Sequence, residues 1–103
     1  MTPQRDGDDY LFSVQEAADV LGITRQAVYA AINLGSLIAE EHKDGKKIRV
    51  QQLVGYGIQV GKNPVELVDR IKQMTGADLK DLLFWVLAGL GLAYLIKALI
   101  GGK

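Results

Sequence analysis

Apolar residues between positions 10 and 58 recur in short periodic stretches separated by turn signals, after a polar and acidic start over residues 1–9. Val14, Ala17, Ala18 and Leu21 return at helical intervals. Ser13 and Glu16 have the spacing of a capping box, in which a hydroxyl and a carboxylate satisfy each other's backbone amides at a helix start. Gly22 suits the left-handed residue that stops a helix and turns the chain. Ile23 then fills the corner, and Thr24 caps a second predicted helix over 25–34. Val28, Ala31 and Ile32 face inward there, and Gly35 ends the helix. A small residue, a glycine and a branched residue at Ala18, Gly22 and Val28 let two helices meet across a tight turn.

Two strands are predicted next, over 38–42 and 46–50, joined by Lys43-Asp44-Gly45. Asp-Gly favours a hairpin because such turns need positive φ. Ile48 and Val50 alternate with Arg49, the period of a half-buried strand. Glu40 and Glu41 are expected to face away or to pair with the lysines, and His42 to be a solvated strand-end residue. Residues 57–63 read as a boundary. Asn63 and Pro64 then cap and open an amphipathic helix. Val65, Val68 and Ile71, with Leu67 and Met74 as further candidates, make its apolar face, and Thr75-Gly76 ends it.

The run over residues 11–29 resembles the opening of the excisionase-type and MerR-like winged helix-turn-helix family. The matching features are the hydroxyl of Ser13, Glu16-Ala17-Ala18, Leu21-Gly22, Thr24-Arg25 and Val28-Tyr29. Gly35-Ser36-Leu37-Ile38 resembles the family's step into its wing. The resemblance spans about half of the chain. It ends after Val50, where the family continues into a charged helix. Here Gly55 and Gly57 leave a third helix in doubt. The resemblance implies double-stranded DNA as partner. Arg25, Gln26, Tyr29 and Asn33 would face the major groove, where arginine forks onto guanine and glutamine or asparagine onto adenine. Thr24 would meet a phosphate. Tyr29 has two readings, packing on the wing or touching sugar-phosphate. Lys43, Lys46, Lys47 and Arg49 would hold phosphates, which adds affinity rather than sequence choice.

The expected fold class is therefore mainly α. A flexible tail over 1–9 leads into a small winged helix-turn-helix domain with a two-stranded wing over 10–60. A short amphipathic helix or linker follows over 63–76, then a long hydrophobic helix over 78–100. Residues 82–96 are fifteen in a row without a charge, and residues 82–100 contain only Lys97. Nineteen residues at ~1.5 Å each span roughly 28 Å, near the thickness of a bilayer's hydrocarbon core. A helix apolar on every side is either a membrane span or buried in an assembly. Trp85 and Tyr94 suit the two interfaces, and Lys97 can snorkel to the far one. Gly89 and Ala93 form a small face on which two such helices can pack. The basic residues Lys62, Arg70, Lys72 and Lys80 precede the stretch and outnumber Lys97 and Lys103 after it, which places the N-terminal domain in the cytoplasm if the helix spans.

Charge tempers the DNA reading. The formal net charge is zero, and residues 1–60 hold six basic against eight acidic side chains. Phosphate neutralisation supplies most non-specific affinity, so clustering matters, and four of those six bases fall within 43–49. The chain has no cysteine and a single histidine, His42, so neither a thiolate nor a multi-histidine metal site has its ligands. No cofactor is expected and no nucleophile–base constellation is evident, so the expectation is a protein that is not an enzyme. Three roles remain open: a DNA-binding protein tethered to the inner membrane; a soluble regulator or excisionase-type factor that oligomerises through its last helix; and an adaptor whose winged domain binds protein. A homo-oligomer fits the first two.

Overall fold

Alternation of short strands and capped helices gives the order β1 (Gln4–Asp6), β2 (Asp9–Ser13), α1 (Val14–Leu21), α2 (Arg25–Asn33), β3 (Glu40–His42), β4 (Gly45–Arg49), α3 (Val50–Gln59) and α4 (Pro64–Thr75). The computed structural model describes residues 3–6 and 9–77, together with Phe84 and Leu87. These form a small α/β domain of four helices and one antiparallel sheet ordered β1-β2-β4-β3.

Helix α1 sits at the centre and packs against β2, β4 and all three other helices. Six of its eight residues are buried: Val14, Glu16, Ala17, Ala18, Val20 and Leu21. Its start is the capping box expected from Ser13 and Glu16. The Ser13 amide donates to Glu16 Oε1 at 2.8 Å, and the Glu16 amide donates to Ser13 Oγ at 3.1 Å. Ser13 also ends β2, so this cap fastens the sheet to the helix. Gly22 closes α1 in the left-handed conformation, with φ 68°. No basic residue lies in the last turn of α1. Arg70 of α4 supplies one, its Nη1 donating to the Val20 carbonyl at 2.9 Å. A cation at a helix C-terminus satisfies otherwise unpaired carbonyls and the helix dipole.

Several expectations need correction. The wing is not an isolated two-stranded ribbon but half of a four-stranded sheet, so the domain is α/β rather than mainly α. Strand β2 pairs with β4 in the register Leu11–Arg49, Phe12–Ile48 and Ser13–Lys47. The predicted flexible tail contains β1, which pairs with β2, and Arg5 lies opposite Tyr10 with its guanidinium 5.8 Å from the ring centroid. Val50 opens α3 instead of ending a strand, and it is fully buried. Helix α3 continues through Gly55 and Gly57 to Gln59, so the break within the expected 57–63 boundary falls at 60–63. On α4, Leu67 and Ile71 are the buried pair, whereas Val65 is exposed. That helix packs on α1 and α3.

Gly57 shows why a glycine-containing helix is stable here. A Cβ at this position would lie 2.7 Å from Leu67 Cδ1 and 3.1 Å from Leu21 Cδ2. The glycine lets α3 approach α1 and α4 closely, and the packing gained outweighs its poor helix propensity. The predicted 78–100 helix, with Trp85, Gly89, Ala93, Tyr94 and Lys97, lies outside the described residues apart from Phe84 and Leu87. Both of these are helical and largely exposed. Among the described residues no helix is long and apolar enough to cross a membrane.

Gly57→Ala is expected to lower stability by about 1–3 kcal/mol through overpacking, although alanine is the better helix former by roughly 1 kcal/mol. The urea unfolding midpoint measures the balance. A rise in midpoint would mean that Leu67 yields without cost.

Candidate nucleic-acid interface

Helix α2 is held by a narrow strip. Only Val28 and Ala31 on it are buried, with Ile32 partly covered. Its N-terminus is ordered locally: Thr24 Oγ1 accepts the Ala27 amide at 3.1 Å. That bond uses a lone pair of Thr24 and leaves its hydroxyl hydrogen free to donate. The opposite face of the helix points to solvent. Thr24, Arg25, Gln26, Tyr29, Ala30 and Asn33 are all exposed. The sequence RQAVYAAIN contains one cation and no carboxylate, so nothing on the helix itself opposes an anion at its positive end. Tyr29 keeps 40% of its surface exposed, and its hydroxyl makes no hydrogen bond among the described residues. All five α2-side candidates from the sequence therefore share one accessible surface.

In the hairpin, Glu40 and Glu41 take the second of their two expected arrangements and pair with bases rather than facing away. Strands β3 and β4 pair in the register Glu40–Lys47, Glu41–Lys46 and His42–Gly45. Side chains opposite or diagonal on one face of an antiparallel pair interact, and here they are of opposite charge. Lys46 is ion-paired with Glu41. Arg49 is ion-paired with Glu40 through Nε, and its Nη2 donates to Glu40 Oε1 at 3.3 Å. Lys47 Nζ lies 3.3 Å from Asp44 Oδ2, and only 11% of the Lys47 side chain is exposed. Lys47 is thus a poor candidate for groove contact. His42 is half-buried rather than solvated, with Nε2 3.2 Å from Glu40 Oε1. Lys43, at the turn, is exposed and has no ion pair among the described residues.

These pairs shift the carboxylates. Hydrogen bonding to Arg49, then to His42, holds the Glu40 carboxyl below its ordinary range. Lys47, followed by the backbone of Asp44 itself, does the same for Asp44. Opposite charge and donated hydrogen bonds both favour the ionised form. The acids were visible in the sequence, but their pairing depends on the register, which a list of charges does not contain.

Set against known protein families, curated proteins and solved structures, the chain finds no match in any of the three. The resemblance over residues 11–29 therefore carries no support from those comparisons, and the functional reading rests on the surface itself.

The lowered carboxylates imply a pH dependence of defined sign. A carboxyl whose folded pKa lies below its unfolded value stabilises the fold above the unfolded pKa. That contribution is lost as pH falls through the folded value. A Glu40→Gln/Asp44→Asn variant is therefore expected to have a lower urea midpoint than the unmodified chain at pH 7. The two should converge as pH drops below the ordinary carboxylate range. A gap independent of pH would mean that the pairs do not contribute through ionisation.

Proposed function

We propose that the chain is a winged helix-turn-helix module that binds double-stranded DNA through α2 and the β3–β4 wing, without catalytic activity. The observation that carries this reading is the outward face of α2. It is anchored on one side only, presents Arg25, Gln26, Tyr29 and Asn33 together, and bears no carboxylate. Arginine, glutamine and asparagine are the side chains that fork onto base edges, and a short exposed helix fits a major groove. Lys43, Lys46 and Arg49 at the wing would meet backbone phosphate and set register.

The second part of the proposal is a tether. Residues 82–100 join the module to the inner membrane, with the DNA-binding domain in the cytoplasm. The support is the uncharged run over 82–96 and the exposure of Phe84 and Leu87, two large apolar side chains that water does not favour. Trp85, Tyr94 and Lys97 would mark its ends, and Gly89 and Ala93 the face along which copies pair. Several copies on one membrane raise effective concentration, which compensates for weak binding by one copy. A soluble regulator or excisionase-type factor assembled through the same residues is the alternative for this segment. An adaptor that binds protein is favoured by the ion-paired, near-neutral wing.

Two measurements test these parts. In fluorescence anisotropy with labelled duplex DNA, Arg25→Ala is expected to weaken binding of the full-length chain by roughly tenfold or more, the scale of one bidentate base contact. Lys72→Ala, the same charge change on exposed α4, should alter it little. Equal losses would remove α2 from the interface, and no binding by the unaltered chain would favour the adaptor. In cell fractionation, a carbonate wash should leave the chain in the membrane pellet. Release into the wash would end the tether and leave assembly through residues 82–100.

A further inference from the structure

We infer that Glu40 and Glu41 are built-in competitors for the wing's phosphate-binding cations, so that each copy holds its own DNA affinity down. The inference deepens the DNA-binding reading and rests on it. The register puts an ion pair on each face of the ribbon. Glu41 lies directly across from Lys46, while Glu40 sits across from Lys47 and diagonal to Arg49. Glu40 takes Arg49 with both carboxylate oxygens, one to Nε and one to Nη2. This is the fork that a phosphate would otherwise occupy, since guanidinium groups grip carboxylate and phosphate in the same two-pronged way. On each face of the ribbon the strand cation is already matched, Lys46 on the face it shares with Ile48 and Arg49 on the other.

The pairs stay open to exchange. Side-chain exposure is 34% for Arg49 and 35% for Lys46, against 11% for Lys47. The Lys47–Asp44 pair is therefore structural, and the Glu40 and Glu41 pairs are the displaceable ones. A phosphate that takes Lys46 leaves the Glu41 carboxylate without its cation beside the DNA backbone, and one that takes Arg49 leaves Glu40 with His42 alone. In both cases a carboxylate close to the phosphate repels it. The wing then contributes fewer net phosphate contacts than its four bases suggest. Lys43 is the one wing base with no such partner among the described residues. A module attenuated in this way binds firmly only when several copies act together.

The test uses the full-length chain and a labelled duplex of generic sequence, read by anisotropy across a salt series. Glu40→Gln/Glu41→Gln is expected to tighten binding roughly threefold to tenfold at low salt. It should also steepen the dependence of log Kd on log salt by about 0.9 for each cation that gains a phosphate. The control is Glu66→Gln/Asp69→Asn, the same charge change on exposed positions of α4, with the slope expected to stay unchanged. Adding Arg49→Gln and Lys46→Gln to the wing variant should cancel the gain. Circular dichroism confirms that each variant keeps the fold. Equal tightening by the wing and α4 variants, or an unchanged slope, would reduce the effect to overall charge and overturn the inference. If Arg25→Ala weakens binding but the wing variant shows no gain, the attenuation falls and the DNA-binding reading stands. If no variant binds duplex, both fall.

Discussion

The burial of α1 is the constraint on which the other elements depend. An eight-residue helix is too short to be stable in water by itself, so its stability comes from its neighbours. Two alanines let it be surrounded closely, and Leu21 and Val20 fill what remains. Its ends are tied by groups from different places: Ser13 and Glu16 at the start, Arg70 from α4 at the finish. Because α1 contacts every other helix and two central strands, loosening it would free α2 and the hairpin together.

This arrangement explains how so small a domain can present a flat, accessible helix. The core is completed on the far side by α3 and α4, where Leu53, Val54, Leu67 and Ile71 are buried. With that side closed, α2 is held by Val28 and Ala31, with Ile32 packed beside them. The remainder of its circumference is left to solvent. Among the described residues Glu16 is the one buried charged side chain, and it is satisfied by its own helix start. Among the described residues no buried side-chain nitrogen or oxygen lacks a partner. The exposed polar face of α2 is therefore not compensating for a defect in the interior.

The electrostatics are local rather than global. A net charge of zero hides a helix with one cation and no acid beside a hairpin whose acids and bases are interleaved. Surface pairs of this kind add little stability because water and salt screen them. Their larger effect falls on what the lysines and arginine can still bind. Charge clustering along a sequence therefore overstates the positive potential whenever a tight register brings acids alongside.

Local signals were sufficient for the capped ends and the turns. Ser13 with Glu16, Gly22, Thr24, the Asp44-Gly45 turn, Asn63-Pro64 and Gly76 all stand where short-range chemistry places them. The exposed set on α2 was also legible, because helical periodicity separates inward from outward residues within one element. Tertiary structure alone decided the rest. The β2–β4 pairing joins residues more than thirty positions apart, so no local pattern announces the four-stranded sheet. Helix α3 runs through Gly57 where Leu21 and Leu67 come close enough to need the missing side chain. Three of the hairpin's four bases are matched because the register of the Asp44-Gly45 hairpin sets a carboxylate beside each, a detail of backbone pairing that a list of charges does not contain. Periodicity and capping act over a few residues, whereas pairing and close approach depend on segments the chain must first bring together.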